Sequence, residues 1–137
     1  MTRIITFADG LTSASAPVIA GGSQENYTLL NNQTGTNITG LIFDSTLYKS
    51  AFISAEIERI GSSQFRQAVD IQLYWDGTDW NLTSGNSSGS DILNESITAT
   101  QHIVLAINSS GQVSYDSGNL AGHTSSKLKL LIVRVSV

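Results

Sequence analysis

Residues whose type and spacing could support catalysis are few in this chain. The two histidines, His102 and His123, stand apart, and neither has a second histidine or an acid at metal-ligand spacing. No serine lies in the Gly-x-Ser-x-Gly pattern of hydrolase nucleophiles. The chain has no cysteine, which excludes a disulfide framework, a thiolate metal site and a cysteine nucleophile. We therefore predict that the protein has no catalytic residue and is not an enzyme.

The acidic residues offer acid–base or metal chemistry only in outline. Glycoside hydrolysis needs two acids set across a cleft, whereas Glu56, Glu58 and Asp70 fall on the outward faces of predicted strands. The oxygens of residues 76–79, DGTD, suit Ca²⁺, but a complete calcium loop offers more ligands, including a later glutamate. Residues 85–90, GNSSGS, lack the lysine and the following helix of a phosphate loop. We expect no bound metal and no cofactor.

Three aromatic residues, Tyr74, Trp75 and Trp80, cluster at one predicted hairpin. Exposed aromatic rings can stack on sugars, so these three are the glycan-facing residues of an alternative, carbohydrate-binding function. Large rings bury much apolar area when they enter a core. Trp75 and Trp80 are therefore better explained as core residues at the end of a β-sandwich.

Composition restricts the partners of the chain. The net charge is −4, and seven scattered basic residues form no patch that could bind phosphates. No apolar run approaches the ~20 residues that span a bilayer, and residues 1–20 do not have the pattern of a signal peptide. We expect neither nucleic acid nor a membrane among the partners.

The chain is organised around a predicted hairpin over residues 65–82, FRQAVDIQLYWDGTDWNL. Apolar side chains alternate with polar ones over residues 65–75, which is the period-2 pattern of a half-buried strand. Asp76 and Gly77 supply the turn, because both residue types tolerate a positive φ. Trp80 and Leu82, two residues apart, begin the returning strand.

Residues 48–60 permit two interpretations. Phe52, Ala55 and Ile60 roughly suit the period of a helix, whereas the β-branched residues and the flanking turn signals favour a strand. We predict the strand, with an inward face made of Ala51, Ile53, Ala55 and Ile57.

The rest of the chain predicts further strands over residues 26–30, 38–43, 92–100, 102–107, 112–115 and 127–137, with turns or loops at 31–35, 83–91 and 108–111. The last strand is apolar on both faces near its end, so it should be central or covered by a neighbour. The pattern predicts an all-β fold, an antiparallel β-sandwich that is jelly-roll-like. Since few charges defend the strand edges, we expect association with other chains.

Residues 1–25 differ from the predicted β-sandwich domain, residues 26–137. Gly21, Gly22 and Ser23 suggest a flexible joint, and the preceding residues carry too many apolar groups for a solvated tail. We predict an extended N-terminal arm that packs on another subunit or on a partner protein through Ile4, Ile5, Phe7, Leu11, Pro17, Val18 and Ile19.

Several stretches together resemble a β-sandwich domain that recurs in tailed-phage virion proteins. They are NNQTGTNITGLIFDSTLYKSAFISAEIERI (31–60), YWDGTDWNL (74–82), GSDI (89–92) and SSGQVSYDSGNLAG (109–122). The resemblance covers about residues 26–137, and TFADGLTSASAP (6–17) is similar to the start of some phage structural proteins. Proteins of this kind include head decoration (cement) proteins, head fibres and tail-fibre modules.

The resemblance implies a mechanical or adhesive function. Cement proteins are commonly trimers that sit over joints between capsid subunits. We expect a homotrimer on the outer surface of the phage head in the virion, with its own copies and the major capsid protein as partners. An arm without a long fibre shaft favours decoration over a fibre. The alternative is a receptor- or carbohydrate-binding module of a fibre or baseplate.

Overall fold

The computed structural model describes residues 6–7, 11–12, 22–84, 88–89, 91–92 and 102–137. These residues form strands and turns, and none of them lies in a helix that could span a membrane. The short strands β1 (Thr6–Phe7) and β2 (Leu11–Thr12) pair with each other. The remaining strands form two antiparallel sheets, which confirms the predicted all-β fold.

The larger sheet has six strands in the order β3-β12-β5-β6-β7-β8. Their bounds are Gly22–Leu29 for β3, Ser125–Ser136 for β12, Tyr48–Ile60 for β5, Gln64–Trp75 for β6, Trp80–Ser84 for β7 and Ser88–Gly89 for β8. The smaller sheet has the order β4-β11-β10-β9. Its strands are Gln33–Ile42 for β4, Gln112–Ser117 for β11, Ile103–Ile107 for β10 and Asp91–Ile92 for β9.

Inward side chains of both sheets form one buried cluster. This is the packing expected of a β-sandwich, in which alternate residues of each strand enter a shared core. The strand β5 occupies residues 48–60 as predicted, and Ala51, Ile53, Ala55 and Ile57 are all buried. The helical interpretation of this segment is therefore wrong. The jelly-roll connectivity stays a prediction.

The hairpin at residues 65–82 is confirmed. Strands β6 and β7 pair from Ile71 opposite Ser84 to Trp75 opposite Trp80, and the turn occupies residues 76–79. Strand β12 pairs with β3 on one side and with β5 on the other. It is therefore central, as its two apolar faces predict.

The turn between β10 and β11 requires its glycine. Gly111 has φ 94°, and a Cβ there would lie 2.1 Å from the carbonyl oxygen of Phe43. The side chain of Asn108 accepts hydrogen bonds from the backbone N–H groups of Ser110 (3.1 Å) and Gln112 (3.0 Å). The predicted turn at residues 108–111 is thus stabilised by its own asparagine.

Arg59 is a buried charged residue, only 1% exposed, whose side chain makes several hydrogen bonds. Its guanidinium donates hydrogen bonds to Asn31 Oδ1 (2.6 Å), to the carbonyl oxygen of Gly118 (3.0 Å) and to Ser126 Oγ (3.0 Å). Burial lowers the pKa of Arg59 from its usual value. These hydrogen bonds connect β5 and β12 to the loops that lead into β4 and out of β11.

Three predicted boundaries are corrected. Strand β3 begins at Gly22 and not at residue 26, so residues 22–25 of the predicted arm belong to the sheet. Small residues do not break a strand when a neighbour offers a full ladder, and β12 pairs with every residue of β3. Strand β4 begins at Gln33, inside the predicted turn at 31–35. The predicted loop at 83–91 contains the end of β7, all of β8 and the first residue of β9.

Other predictions fall partly outside the described residues. Of the predicted strand at 92–100, residues 93–100 lie outside them. Of the predicted arm residues, Phe7 and Leu11 are paired partners in β1 and β2. The other arm residues lie outside the described ranges, namely Ile4, Ile5, Pro17, Val18 and Ile19.

Candidate functional site

The two histidines make different hydrogen bonds. The carbonyl oxygen of His102 accepts hydrogen bonds from Arg59 (3.4 Å) and from the N–H of Gly118 (3.3 Å). His123 Nε2 lies 2.9 Å from Ser126 Oγ. Burial, and then the charge of Arg59, lower the pKa of His123. Across the described ranges no three metal-ligating side chains come together.

The outward acids are held in surface contacts. Arg66 binds Glu56 (3.3 Å) and Glu58 (2.5 Å), whereas Asp70 is exposed. These distances and the exposure of the groups describe a solvated strand face, as expected from the sequence.

Asp76 organises the hairpin turn through its own carboxylate. Its Oδ1 accepts hydrogen bonds from the N–H groups of Asp79 and Thr78, both at 2.8 Å, and its Oδ2 accepts one from Asn81 (3.0 Å). These bonds, the one from Asp79 first, lower the pKa of Asp76. The oxygens considered for Ca²⁺ therefore serve the turn itself.

The three hairpin aromatics divide between core and surface. Trp80 is 2% exposed, and its ring centroid lies 5.8 Å from that of Phe43 and 6.1 Å from that of Trp75. The indole N–H of Trp80 has no hydrogen-bond partner in the described part of the chain. Trp75 is half-buried against the core, and Tyr74 is exposed on the opposite face. Trp80 is therefore removed from the predicted glycan-facing residues.

The outer face of the six-stranded sheet carries the most distinctive surface. Its cross-strand register aligns Lys127 with Glu58 and Arg66, and Lys129 with Glu56. We call this the charged half, which consists of Glu56, Glu58, Arg66, Lys127 and Lys129. Further along the same strands lies the apolar half, which consists of Phe52, Tyr74, Leu131, Val133 and Val135.

Four residues of the apolar half are direct or diagonal cross-strand neighbours. Val133 lies directly opposite Phe52, and Leu131 and Tyr74 occupy diagonal positions next to this pair, within reach of large side chains. Phe52 is 50% exposed and Leu131 is 42% exposed. A shallow depression of about 350 Å³ lies between Phe52, Ser54, Asp70, Leu131 and Val133. Two more exposed apolar residues, Leu47 and Val137, lie where β5 begins and β12 ends.

The apolar half lies next to the start of the continuously described chain. Gly22, the first residue of β3, is the register partner of Val133, which faces Phe52 on the next strand. Residues 1–21 therefore precede a point one strand away from Val133.

An ionic group lies on the inner side of this same region. Arg134 donates hydrogen bonds to Glu25 (3.1 Å) and to Ser23 (3.1 Å), and the hydroxyl of Tyr27 donates to Glu25. Its guanidinium carbon also lies 5.2 Å from the ring centroid of Phe43. The contact is of cation–π type. The bonds from Arg134 to Glu25 and Ser23 link the edge strand β3 to β12 through side chains as well as through the backbone ladder.

This group shifts two pKa values. Partial burial alone would raise the pKa of Glu25, but hydrogen bonds from Tyr27, Arg134 and Ser23 outweigh it and lower the pKa. Burial, and then the hydrogen bond to Glu25, raise the pKa of Tyr27 to about 12.

The sequence indicated only part of this surface. The outward apolar residues of β12 were visible as a strand with two apolar faces, and Phe52 interrupted the polar face of β5. Their union into one patch depends on the register between strands that lie about 80 residues apart in the chain. Comparison of the chain with protein-family models, with curated proteins and with solved structures gives no significant match.

Proposed function

We propose that this chain is a non-enzymatic structural protein of a tailed phage, a decoration protein that binds the outer surface of the head. It would lie across joints between major capsid protein subunits and stabilise the shell. The observation that supports this proposal is the apolar half of the outer sheet face, which is exposed next to a half rich in charge. Contiguous apolar patches on soluble proteins commonly mark contacts with other macromolecules.

Covering the two halves with another protein would change the free energy in opposite directions. Burying apolar area contributes about 25 cal/mol per Å², so Phe52, Leu131 and Val133 favour contact with another protein. Arg66 already binds Glu56 and Glu58 in the charged half. Covering that ion-paired group would cost desolvation energy. A decoration protein would therefore face the shell with the apolar half and leave the Arg66 group in water.

The predicted arm extends the same contact. Strands β1 and β2 pair with each other, so residues 13–21 set the reach of the arm from Gly22, up to about 30 Å if fully extended. The arm joins the sheet at Gly22, the register partner of Val133. Its apolar residues (Ile4, Ile5, Phe7, Leu11, Pro17, Val18 and Ile19) would therefore continue the apolar surface. In a homotrimer each weak contact would be made three times, which raises the avidity for the shell.

The direct test is binding to empty heads assembled from the major capsid protein of the same phage. We expect the full chain to bind at a fixed number of copies per head and to raise the melting temperature of the shell. A chain that starts at Gly22 should keep the melting temperature of the β-sandwich but bind the heads more weakly. Absence of binding by the full chain would contradict the proposal, and equal occupancy by both chains would remove the role of the arm.

The alternative is a receptor- or carbohydrate-binding module, and one observation favours it. Tyr74 is 38% exposed in the apolar half, next in sequence to the half-buried Trp75. A glycan array would report binding that is lost on Tyr74→Ala. Binding of this kind, without binding to heads, would favour the alternative over decoration.

A further inference from the structure

The edge strand β3 of the larger sheet offers a regular backbone edge. All eight residues of β3 pair with β12 without a register shift. Among the described strands none pairs with the other side of β3. Such an edge presents a row of N–H and C=O groups, which is a template for a further strand.

The edge strand β4 of the smaller sheet has an irregular backbone, unlike β3. The pairing of β4 with β11 shifts register twice, and β4 contains Gly35 and Gly40 with positive φ values of 58° and 87°. Bulges and irregular backbone are devices that protect edges from pairing. Strand β3 has no proline, no lysine and no residue with positive φ, and its one charged residue, Glu25, is bound by Arg134.

A positively charged groove runs beside β3. It has a volume of about 380 Å³ and is lined by Gln24, Asn26, Tyr27, Thr28, Lys127, Leu128 and Lys129. Within the described ranges neither lysine has a carboxylate within 4.0 Å, although Glu58 and Glu56 are their register partners on β5. Two ammonium groups without a close carboxylate thus lie one strand in from the edge, in a chain of net charge −4.

We propose that β3 accepts an extended acidic segment of a partner protein as an additional strand. Thr28 and Asn26 are the register partners of Lys127 and Lys129. The residues of an incoming strand that face Thr28 and Asn26 are two apart and point to the same side of the sheet. Carboxylates at those two positions face the lysines across short side chains, over about 10 Å between the outer strands.

The proposal rests on the proposed function, because on a phage head the partner segment belongs to the shell. It would reach the charged half only at Lys127 and Lys129, on the side of β3, while the Arg66 group stays in water. Its chemistry is nevertheless defined by this chain alone. The ladder of β3 supplies affinity, and the two lysines select a strand with acidic residues at positions i and i+2. A segment with neutral residues there keeps the ladder and loses the charge contacts.

The test is a titration of the full chain with two labelled peptides. One is Thr-Val-Glu-Val-Glu-Val-Thr, and the other has glutamine at both glutamate positions. Fluorescence anisotropy at low salt should show about tenfold tighter binding of the acidic peptide, as expected for two partly exposed ion pairs. The double variant Lys127→Gln, Lys129→Gln should abolish this preference. The matched control Lys49→Gln, an exposed lysine at the other end of β5, should keep it.

Hydrogen exchange identifies the edge that is used. The acidic peptide should protect alternate backbone amides of β3 and leave those of β4 unchanged. Equal binding of the two peptides, binding without protection in β3, or no binding at millimolar concentration would each overturn the proposal. So would β3 amides that are already protected without peptide, by a second copy or by residues 1–21.

This experiment separates two possible failures. If the acidic peptide binds as expected but the full chain does not bind heads, the decoration role fails and the strand-acceptor role stands. If the Lys127→Gln, Lys129→Gln variant occupies heads as fully as the natural chain, the contact proposed here is absent from decoration.

Discussion

The two halves of the outer sheet face are built on the same strands but have opposite surface chemistry. In the charged half, Arg66 lies between Glu56 and Glu58 and binds both. In the apolar half, Phe52 and Val133 face each other with no polar group between them. Beneath both halves the inward side chains alternate into one core. The difference between the halves therefore does not come from the fold, and we assign it to what each half contacts.

If the halves differ only on the outside, core substitutions beneath them should have similar effects. Leu128 lies beneath the charged half and Ile132 beneath the apolar half, and both are fully buried. Either residue changed to alanine should lower the free energy of unfolding by about 2–5 kcal/mol. Leu131→Ala, on the outer face, should lower it by less than about 1 kcal/mol. Urea denaturation of the three variants checks this. A cost for Leu131→Ala as large as that for Ile132→Ala would contradict an exposed apolar half.

Acid should weaken the contacts of Glu25 with Arg134 and Tyr27 on the inner side of the apolar half. The pKa of Glu25 is lower in the folded chain than in the unfolded chain. Its contribution to stability is therefore present above the unfolded pKa and is lost as the pH falls through the folded pKa. The expected loss is about 0.5–1 kcal/mol, because the ion pair with Arg134 is only partly buried. Thermal melting between pH 6 and pH 3 measures it. Glu25→Gln should flatten this part of the pH profile, and an unchanged slope in this variant would contradict the assignment.

Alkali should weaken the same group of contacts, because it deprotonates Tyr27. The pKa of Tyr27 is raised to about 12 in the folded chain, above its ordinary value near 10. Its contribution is therefore fully present below about pH 10 and is lost as the pH rises towards 12. Tyr27→Phe should remove this loss, which can be followed by far-ultraviolet circular dichroism. Tyr74, exposed on the outer face, gives the matched control in Tyr74→Phe, which should leave the alkaline loss in place.

The smallest effect is expected in the charged half. Arg66→Gln breaks the two contacts to Glu56 and Glu58, but Arg66 and Glu56 are exposed to solvent and Glu58 is only partly buried. The free energy of unfolding should fall by at most about 1 kcal/mol, and the difference from the natural chain should shrink in 1 M salt. Denaturation at two salt concentrations measures it. A larger, salt-independent loss would mean that the Arg66 group is not solvated as described.

Much of the fold could be predicted because it depends on local alternation. Strand β5, the hairpin of β6 and β7 and the central position of β12 follow from period-2 patterns and turn residues. The start of β3 could not be predicted in this way, because Gly22 and Ser23 become extended by pairing with β12 and not by their own preference. The same reason hid the groove beside Lys127 and Lys129.

The candidate surface was predictable only in fragments. Phe52 and Leu131 each stood out as apolar residues on an outward face, but their proximity follows from the register of β5 with β12. Trp80 shows the opposite case, because its size predicted a core position and the structure has it buried. Arg59 was missed, although it continues the inward alternation of β5 after Ile57, because charged side chains are seldom buried without a network that sequence does not reveal.

The most direct measurement compares binding of two double variants to empty heads. Phe52→Ser, Leu131→Ser changes the apolar half, and Glu56→Gln, Arg66→Gln changes the charged half by the same number of residues. Both should melt close to the natural chain. We predict that the first variant loses at least about 100-fold in affinity, roughly 3 kcal/mol, and that the second binds within about threefold of the natural chain. Equal affinities of the two variants would contradict the account.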